Sequence, residues 1–305
     1  MRAVVIESYG DNSVVNVVDV ARPAPQAGEL LVKVRAAGVN PIDWKIRGGV
    51  GQRMGMTLPI HLGGEISGTV EQVGAGVAGF SVGDAVFGII KDGGFADYAI
   101  APAADMVRIP ADLDFIAAAA IPLGALTAWQ ALFDVAKLTR GQRLLIAGAS
   151  GGVGSLAVQI AKTAGAHVTA IASGRNADFV RSLGADTFID YTAQPFEQVA
   201  RDMDVVFDTV GGDTFQRAFG TLKHGGFLVT SVEFPTEEDG RRGVGVGRVF
   251  CKPNAAQLTA IRDLVEAGKL QPHVATVLTL DEVKEAFALS EGGRTRGKIV
   301  LGISQ

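Results

Sequence analysis

The feature that most constrains the fold is a glycine-rich turn between an apolar run and a helical pattern. Leu144–Ala147 is apolar and short enough for a buried strand, and apolar residues recur at helical spacing from Val153 to Ala164. Such a turn lets backbone approach a pyrophosphate, and the helix N-terminus presents unpaired N–H groups with a partial positive charge. The sequence therefore predicts a dinucleotide-binding turn that consists of Gly148, Ser150, Gly151, Gly152, Val153 and Gly154.

Two other interpretations of this turn stay open. Gly148–Gly152 also fits the Gly-x-Ser-x-Gly elbow of the α/β-hydrolases, in which Ser150 would be the nucleophile. The acid would be Asp208 and the base His224 or His273. The further glycine after the serine, and the lack of a second oxyanion-loop motif, favour the dinucleotide site. The turn could also do no more than pack a strand on a helix.

The pattern of the chain changes near residue 121. Before it, short β-rich segments with glycines at their corners predict a partly closed β-barrel. After it, strands alternate with helical segments, which predicts an α/β protein with a parallel, doubly wound sheet. The β-rich part has too little helix to cover itself, so we expect the C-terminal helix and strand to return to it. The predicted domains are a catalytic domain at 1–121 and 253–305 and a nucleotide-binding domain at 122–252.

Composition excludes several classes of protein. The net charge of −4 and the pI near 5.6 argue against a nucleic-acid partner. The single cysteine, Cys251, excludes an internal disulfide and a multi-cysteine zinc site. Phe115–Phe133 is uncharged, but Pro122 and Gly124 interrupt it, which indicates two buried helices and no membrane span. The N-terminal segment Met1–Glu7 places a charge too early for the apolar core of a signal peptide, so we expect a cytoplasmic protein.

Six segments resemble the motifs of one known family. They are Gly38–Asp43, Gly63–Gly68, Val82–Gly88, Gly148–Gly154, Asp208–Gly212 and Gly297–Leu301. Together with the domain order, they resemble the medium-chain dehydrogenase/reductase superfamily, and within it the zinc-free quinone oxidoreductase (zeta-crystallin-like) branch. The resemblance covers nearly the whole chain. It implies a GroES-like fold for the catalytic domain and a Rossmann sheet for the other.

The resemblance also shows which residues of this chain correspond to the zinc ligands of the alcohol dehydrogenases. Their three ligand positions correspond to Asn40, Gly64 and Leu123 in this chain. Zinc requires three or four thiolate, imidazole or carboxylate ligands, so the sequence predicts no metal. Without a Lewis acid, reduction of a quinone or an activated alkene is more accessible than oxidation of an alcohol.

The end of the second strand of the nucleotide-binding domain indicates the choice of cofactor. An NAD site usually has an acid there, which binds the ribose 2′-hydroxyl. This chain has Ala172 instead, followed by Ser173 and Arg175. A hydroxyl and a cation suit a 2′-phosphate. The sequence therefore predicts NADPH as the cofactor.

The resemblance implies the remaining site residues. Asn40 and Lys45 would polarise the acceptor oxygen near the nicotinamide, with Asp43 beside them, and Lys45 or a water would give the proton. Many relatives have a tyrosine at the position of Lys45, which leaves the proton donor open. Further cofactor contacts would come from Thr127, Tyr191, Val210, Gly211, Ser231, Val232 and Lys298.

The leading prediction is a zinc-independent, NADPH-dependent oxidoreductase that transfers hydride to a quinone or an α,β-unsaturated carbonyl. Its partner would be this small substrate, with no nucleic acid and no membrane. The alternatives are an NADPH-binding sensor or structural protein with weak catalysis and, third, a serine hydrolase. Val244–Phe250 alternates apolar residues at the end of the nucleotide-binding sheet, and an exposed edge of this kind predicts a homodimer.

Overall fold

A computed structural model describes residues 1–240 and 243–303. The backbone forms two compact units. The first contains Met1–Leu123, Pro253–Glu266 and the residues from Pro272 onward, and the second contains Gly124–Lys252 and Ala267–Gln271. The C-terminal segment therefore packs with the N-terminal β-rich part. The short piece Ala267–Gln271, which follows the helix Ala255–Glu266, belongs to the second unit.

The first unit is built from strands that pair antiparallel, except for the last two, which are parallel to each other, and from short helices. Its strands are β1 (Arg2–Ile6), β2 (Val15–Asp19), β3 (Glu29–Val39), β4 (Ile60–His61), β5 (Glu65–Val73), β6 (Ala85–Ile89), β7 (Tyr98–Pro102), β8 (Met106–Arg108), β15 (Val274–Thr279) and β16 (Lys298–Gly302). Its helices are α1 (Pro41–Lys45), α2 (Gly51–Arg53), α3 (Phe115–Ala119), α10 (Ala255–Glu266) and α11 (Val283–Glu291).

Strand β3 is the centre of the larger sheet of this unit. The described strands follow the order β15-β16-β3-β5-β6-β8, with β7 also paired to β3, while β2-β1-β4 form a smaller sheet. Apolar side chains from both sheets form one core, which α11 closes by packing Phe287 against Phe95, with ring centroids 6.1 Å apart. The β-barrel-like first unit matches the prediction, and α11 and β16 return to it as expected.

The second unit is a parallel sheet covered by helices. Its strands are β9 (Arg143–Ala147), β10 (His167–Ala172), β11 (Thr187–Asp190), β12 (Met203–Asp208), β13 (Leu222–Thr230) and β14 (Gly245–Arg248). Its helices are α4, which begins at Pro122 and ends at Trp129, α5 (Gly152–Thr163), α6 (Ala177–Ser182), α7 (Phe196–Val199), α8 (Gly212–Ala218) and α9 (Glu237–Gly240).

The order of these strands is that of a Rossmann sheet. The described strands follow β11-β10-β9-β12-β13-β14, and each pair is parallel. Numbered within the sheet, this is the order 3-2-1-4-5-6, whose reversal lies between β9 and β12. The predicted doubly wound sheet is thereby confirmed. Ligands of such sheets bind outside the carboxyl ends of the strands, at this point of reversal.

The uncharged stretch at 115–133 forms two helices, α3 and α4, separated near Ile121. Within the described residues, none of the helices combines the length and the apolar character that crossing a membrane requires.

Candidate cofactor site and buried active-site cluster

The turn between β9 and α5 has the geometry of a phosphate-binding site. Gly148 has φ +80°, and a Cβ on Gly154 would lie 2.2 Å from the Gly148 carbonyl oxygen, so glycine is required for the helix to begin this close to the strand. The first intrahelical hydrogen bond runs from the Ser155 N–H to the Gly151 carbonyl, at 3.0 Å. The N–H groups of residues 152–154 precede it, so they are available to an anion. The turn fits the pyrophosphate of a dinucleotide.

Asp208 holds the backbone at the carboxyl ends of β12 and β13, next to this turn. It is fully buried at the end of β12. Its carboxylate accepts hydrogen bonds from the N–H groups of Val210 and Gly211, both at 3.0 Å, and from the Thr230 hydroxyl at 2.8 Å. The Ser231 N–H donates to the Asp208 carbonyl, also at 3.0 Å. One carboxylate therefore fixes the backbone after both β12 and β13, where Val210, Gly211, Ser231 and Val232 were predicted to border the cofactor.

The environment of Ser150 does not support the hydrolase. The Ser150 hydroxyl accepts a hydrogen bond from the Asn176 amide nitrogen at 3.1 Å, and the same nitrogen donates to the Ser173 hydroxyl at 3.1 Å. An amide cannot act as a general base, and the carboxylate of Asp208 is used by backbone N–H groups. Asn176 instead joins the phosphate-binding turn to the end of β10. Asn176 was not among the predicted site residues, although a polar residue three positions after Ser173 was a usable signal.

The residues predicted to bind the 2′-phosphate follow β10, and those that follow β11 lie beside them in the sheet order. Ala172 is buried, and Arg175 is exposed in the turn that follows. Ala172 is in register with Asp190 of β11, so an acid is present one strand away from the position that it usually has in an NAD site. Asp190 accepts hydrogen bonds from the Thr192 N–H and hydroxyl, at 2.9 and 2.6 Å, and these bonds lower the pKa of its carboxyl. Tyr191, the next residue, is 56% exposed.

Thr127 lies on α4, within the second unit. Gly124, one helical turn before it, is small enough for α4 to pack on α5, because a Cβ there would lie 3.0 Å from the Leu156 side chain and 3.3 Å from the Gly152 carbonyl. Thr127 is buried. It lies on the helix that packs through Gly124 against the start of α5, and its contact with the nicotinamide stays a prediction.

In the first unit, four buried polar residues form a group that we call the Glu65 cluster: Asn40, Asp43, Glu65 and Lys298. Their exposed fractions are 4%, 2%, 0% and 5%. The Lys298 ammonium donates hydrogen bonds to Glu65 Oε2, at 2.8 Å, and to Asn40 Oδ1. Asn40 Nδ2 donates to Glu65 Oε2 at 2.9 Å and to the Gly38 carbonyl at 3.2 Å. A buried carboxylate is tolerated when a charged group pairs with it and hydrogen bonds satisfy it.

The order of the sheet brings the Glu65 cluster together. β3 pairs with β16 through Val39 and Ile299, which places Asn40 beside Lys298. β3 also pairs with β5 through Ala37 and Ile66, which places Gly38 beside Glu65. A Cβ on Gly38 would lie 2.2 Å from Glu65 Oε2 and 2.5 Å from the Ala119 carbonyl, so the absence of a side chain at Gly38 makes room for the carboxylate.

Asp43 closes the cluster at the start of α1. Its Oδ2 accepts a hydrogen bond from the Asn40 N–H at 2.7 Å, so it also caps the helix. Burial raises the pKa of the Asp43 carboxyl to about 7, the Asn40 hydrogen bond and the charge of Lys298 lower it, and the charge of Glu65 raises it further. Asp43 therefore gains and loses its proton near neutral pH.

The predicted catalytic residues do not all belong to this cluster. Asn40 and Asp43 do, and so does Lys298, which was predicted as a cofactor contact. Lys45 is partly exposed at the end of α1, with its ammonium 5.4 Å from the centre of the Trp44 ring. The sequence analysis assigned no role to Glu65. The available signal was an acid inside the glycine-rich and apolar motif Gly63–Gly68.

The three positions that correspond to zinc ligands meet at Glu65. Asn40 donates to one of its carboxylate oxygens, the Leu123 N–H donates to the other at 2.7 Å, and Gly64 precedes it in the chain. None of the three side chains is a thiolate, an imidazole or a carboxylate, so these positions do not fit zinc. Within residues 1–240 and 243–303, no group of three or more His, Cys, Asp or Glu side chains is arranged to hold a metal ion.

Comparisons with known proteins agree with this architecture. The pattern of the alcohol dehydrogenase GroES-like domain matches residues 26–111, and that of the zinc-binding dehydrogenases matches residues 183–301. The chain is 34% identical to the mitochondrial NAD(P)H oxidoreductase RTN4IP1 of Danio rerio, over 100% of this chain and 92% of that protein. It is 33% identical to the 2-methylene-furan-3-one reductase of Solanum lycopersicum, over 96% of this chain and 78% of that protein.

Two solved structures extend the similarity to three dimensions. The quinone oxidoreductase from Coxiella burnetii has a TM-score of 0.92 and 32% identity, and the match covers 100% of this chain and 99% of that one. The Escherichia coli quinone oxidoreductase complexed with NADPH has a TM-score of 0.90 and 26% identity, with 99% of each chain covered.

The same comparisons show that the predicted cytoplasmic location is wrong. The zebrafish relative is mitochondrial by name, and so are the mouse, bovine and human proteins of that name, each 33% identical to this chain. Receptors read the address of a protein from short signals, which need not affect its fold or its chemistry. Composition and active-site motifs therefore could not determine the location.

The fold, the glycine turn, the strand order and the sequence identity all lead to one family. The chain belongs to the medium-chain dehydrogenase/reductase superfamily of oxidoreductases, in the part of it that contains the quinone oxidoreductases.

Proposed function

We propose that this protein is a zinc-independent, NADPH-dependent reductase of quinones or α,β-unsaturated carbonyls. The observation that carries the proposal is the contrast between its two units. The second retains a complete dinucleotide-binding turn, whereas Asn40, Gly64 and Leu123 of the first occupy the zinc-ligand positions with side chains that do not bind zinc. The names of the E. coli and Coxiella quinone oxidoreductases and of the tomato reductase support conjugated carbonyl compounds as acceptors.

The residues of the second unit account for binding of the cofactor. The N–H groups of residues 152–154 bind the pyrophosphate at the start of α5. Ser173 and Arg175 bind the 2′-phosphate through a hydroxyl and a guanidinium, and Thr127 contacts the nicotinamide end. Bound NADPH supplies a hydride from its nicotinamide ring.

The acceptor then requires stabilisation of negative charge and a proton. A quinone or an enone spreads the incoming charge over its conjugated oxygen, so one or two hydrogen-bond donors suffice where an alcohol dehydrogenase uses a metal ion. Lys45 is a partly exposed cation two residues after Asp43 of the Glu65 cluster, and it donates the proton to the acceptor oxygen directly or through water. Glu65 and Asp43 hold the start of α1 and thereby the position of Lys45.

An acceptor panel tests this function. The purified protein should oxidise NADPH with small quinones or 2-alkenals, and should show negligible NADP⁺ reduction with simple alcohols. A chelator should leave the rate unchanged, and elemental analysis should find no stoichiometric zinc. Oxidation of an alcohol that a chelator abolishes, with about one zinc bound per chain, would refute the proposal. Tight NADPH binding without turnover of any acceptor would favour the sensor or structural protein instead.

A further inference from the structure

The orientation of the Asn40 amide depends on Lys298. Asn40 Oδ1 accepts a hydrogen bond from the Lys298 ammonium, while Nδ2 donates to the Gly38 carbonyl and to Glu65. Rotating the amide by half a turn would place its NH₂ group against the ammonium and its oxygen against a carbonyl and a carboxylate. Three attractive contacts would become repulsive, so the ammonium, the Gly38 carbonyl and the Glu65 carboxylate together permit one orientation only.

This orientation is transmitted to α1. The Asn40 N–H donates to Asp43 Oδ2 at 2.7 Å, and the Asp43 N–H donates to the Asn40 carbonyl at 3.0 Å. Asn40 is therefore joined at one side to Lys298 and Glu65 and at the other to the first turn of the helix. Lys45 ends the same helix two residues after Asp43. A change at Lys298 would reach Lys45 through Asn40 and Asp43.

Lys298 also balances the charge of the cluster. Glu65 is fully buried, and its two carboxylate oxygens accept hydrogen bonds from Lys298, from the Asn40 amide and from the Leu123 N–H. Among these donors Lys298 alone carries a positive charge. It lies at the meeting point of the three positions that correspond to zinc ligands.

We propose that Lys298 is a positioning residue for acceptor reduction: its ammonium is a built-in cation that orders Asn40 and Glu65 and, through Asn40 and Asp43, holds α1 and Lys45. This inference rests on the proposed reductase function and replaces the predicted contact between Lys298 and the cofactor. It assigns to Lys298 the ordering role that a bound metal ion has at a metal centre.

Kinetic analysis of Lys298→Met tests the positioning role. Methionine keeps most of the volume and removes the charge. We expect kcat with a quinone to fall by about tenfold to a hundredfold, the range that small misplacement of a reacting group produces. The dissociation constant of NADPH should stay within about twofold of wild type. A large loss of NADPH affinity would identify Lys298 as a cofactor contact, and an unchanged kcat would show that it positions nothing; either result overturns the proposal.

Removal of the charge can prevent folding, because Glu65 would lose its counterion. The double variant Lys298→Met with Glu65→Gln removes both charges and provides the same test in a neutral cluster. It should fold, bind NADPH and show the same loss of kcat. Wild-type turnover in this double variant would overturn the proposal.

Chemical rescue gives a readout that does not depend on the reaction. Lys298→Ala leaves an empty space next to Glu65 where the lysine side chain was. Added ethylammonium should bind in this space, raise Tm in a saturable manner and restore part of kcat.

Lys162→Ala is the matched control. Lys162 forms a comparable pair with Asp186, at 2.8 Å, but is 31% exposed, so an amine should not stabilise that variant. If ethylammonium raised the Tm of Lys298→Ala by no more than it raised the Tm of Lys162→Ala, the proposal that Lys298 is a built-in cation would be overturned. If the protein reduced no acceptor but the Tm effect were present, the proposed function alone would fail.

Discussion

At the scale of single residues, Asp43 and Arg175 have consequences that can be measured. Asp43 is buried within the Glu65 cluster and shares its environment with two other charged groups. Arg175 is exposed, and its role depends on a ligand. The first therefore affects stability as a function of pH, and the second affects affinity for one cofactor over another.

Asp43 should make the protein less stable as the pH rises through neutrality. Burial raises the pKa of its carboxyl to about 7, above the value of 3.8 that is usual for an aspartate in an unfolded chain. The folded state therefore holds the proton more tightly, and stability present at low pH is lost as the pH approaches and passes 7. Asp43→Asn, which keeps an oxygen to accept the Asn40 N–H, should lose less stability than wild type between pH 5 and pH 8. Urea denaturation at both values measures this difference, and identical losses in the two proteins would contradict the raised pKa.

Arg175→Ala should weaken NADPH binding by about 1.5–3 kcal/mol, as expected for hydrogen bonds to a charged group. Binding of NADH, which lacks the 2′-phosphate, should change little. Arg181→Ala is the control, because Arg181 is an exposed residue paired with Asp178 on the neighbouring helix α6. Calorimetry with both cofactors measures the effect. Equal losses for NADPH and NADH, or none for either, would remove Arg175 from the 2′-phosphate site.

At the scale of elements, the turn between β9 and α5 depends on close contact between backbone groups. The helix starts where the Gly154 Cα hydrogen faces the Gly148 carbonyl, and a methyl group would overlap that oxygen. Such an overlap with backbone cannot be relieved by a side-chain rotation. The position of the whole helix relative to the strand is therefore tied to one glycine.

Gly154→Ala should move the start of α5 away from β9. We expect a loss of stability of about 1–3 kcal/mol, the usual cost of overpacking, and a marked loss of NADPH affinity because the N–H groups of residues 152–154 shift. Gly220→Ala is the control in the same unit, where the new Cβ would find its first neighbour 4.0 Å away. Thermal denaturation and NADPH titration measure both effects. A variant with wild-type stability and affinity would show that the contact between turn and helix can relax.

At the scale of the whole molecule, one edge of the Rossmann sheet suggests self-association. In the described residues β14 pairs with β13 on one side and ends the sheet. Phe250 lies just after it and is 59% exposed, and its ring is 6.0 Å from that of Phe234, which is 72% exposed. Unpaired backbone groups beside exposed aromatic rings favour association with a second chain. A homodimer through β14 stays our prediction.

Sedimentation velocity over the micromolar range measures this association. A charge at the proposed interface, Phe250→Asp, should raise the dissociation constant by about tenfold or more, because the carboxylate would lose water on association. Val82→Asp is the control, since Val82 is 68% exposed in the first unit. A wild-type protein that stays monomeric at every concentration, or a Phe250→Asp variant that associates as wild type does, would exclude this interface.

The sequence alone determined those features that depend on local pattern. The alternation of strands and helices predicted the doubly wound sheet, and the spacing of Gly148, Gly151 and Gly154 predicted the phosphate-binding turn. The family resemblance assigned Asn40, Gly64 and Leu123 to the zinc-ligand positions, and the absence of zinc stays a prediction. Each of these depends on residues that are close in the chain, or on short motifs whose geometry is set by backbone conformation.

Only the tertiary structure decided how the polar residues of the Glu65 cluster are paired. Glu65 and Lys298 are 233 positions apart in the chain, and Asn40 and Lys298 are 258 apart. They meet because β5 and β16 lie on opposite sides of β3, and Gly38 of β3 leaves room for the carboxylate. No local pattern encodes which strands become neighbours, since sheet order follows from packing of the whole unit. The sequence could therefore name Asn40, Asp43 and Lys298, but not the buried carboxylate that joins them.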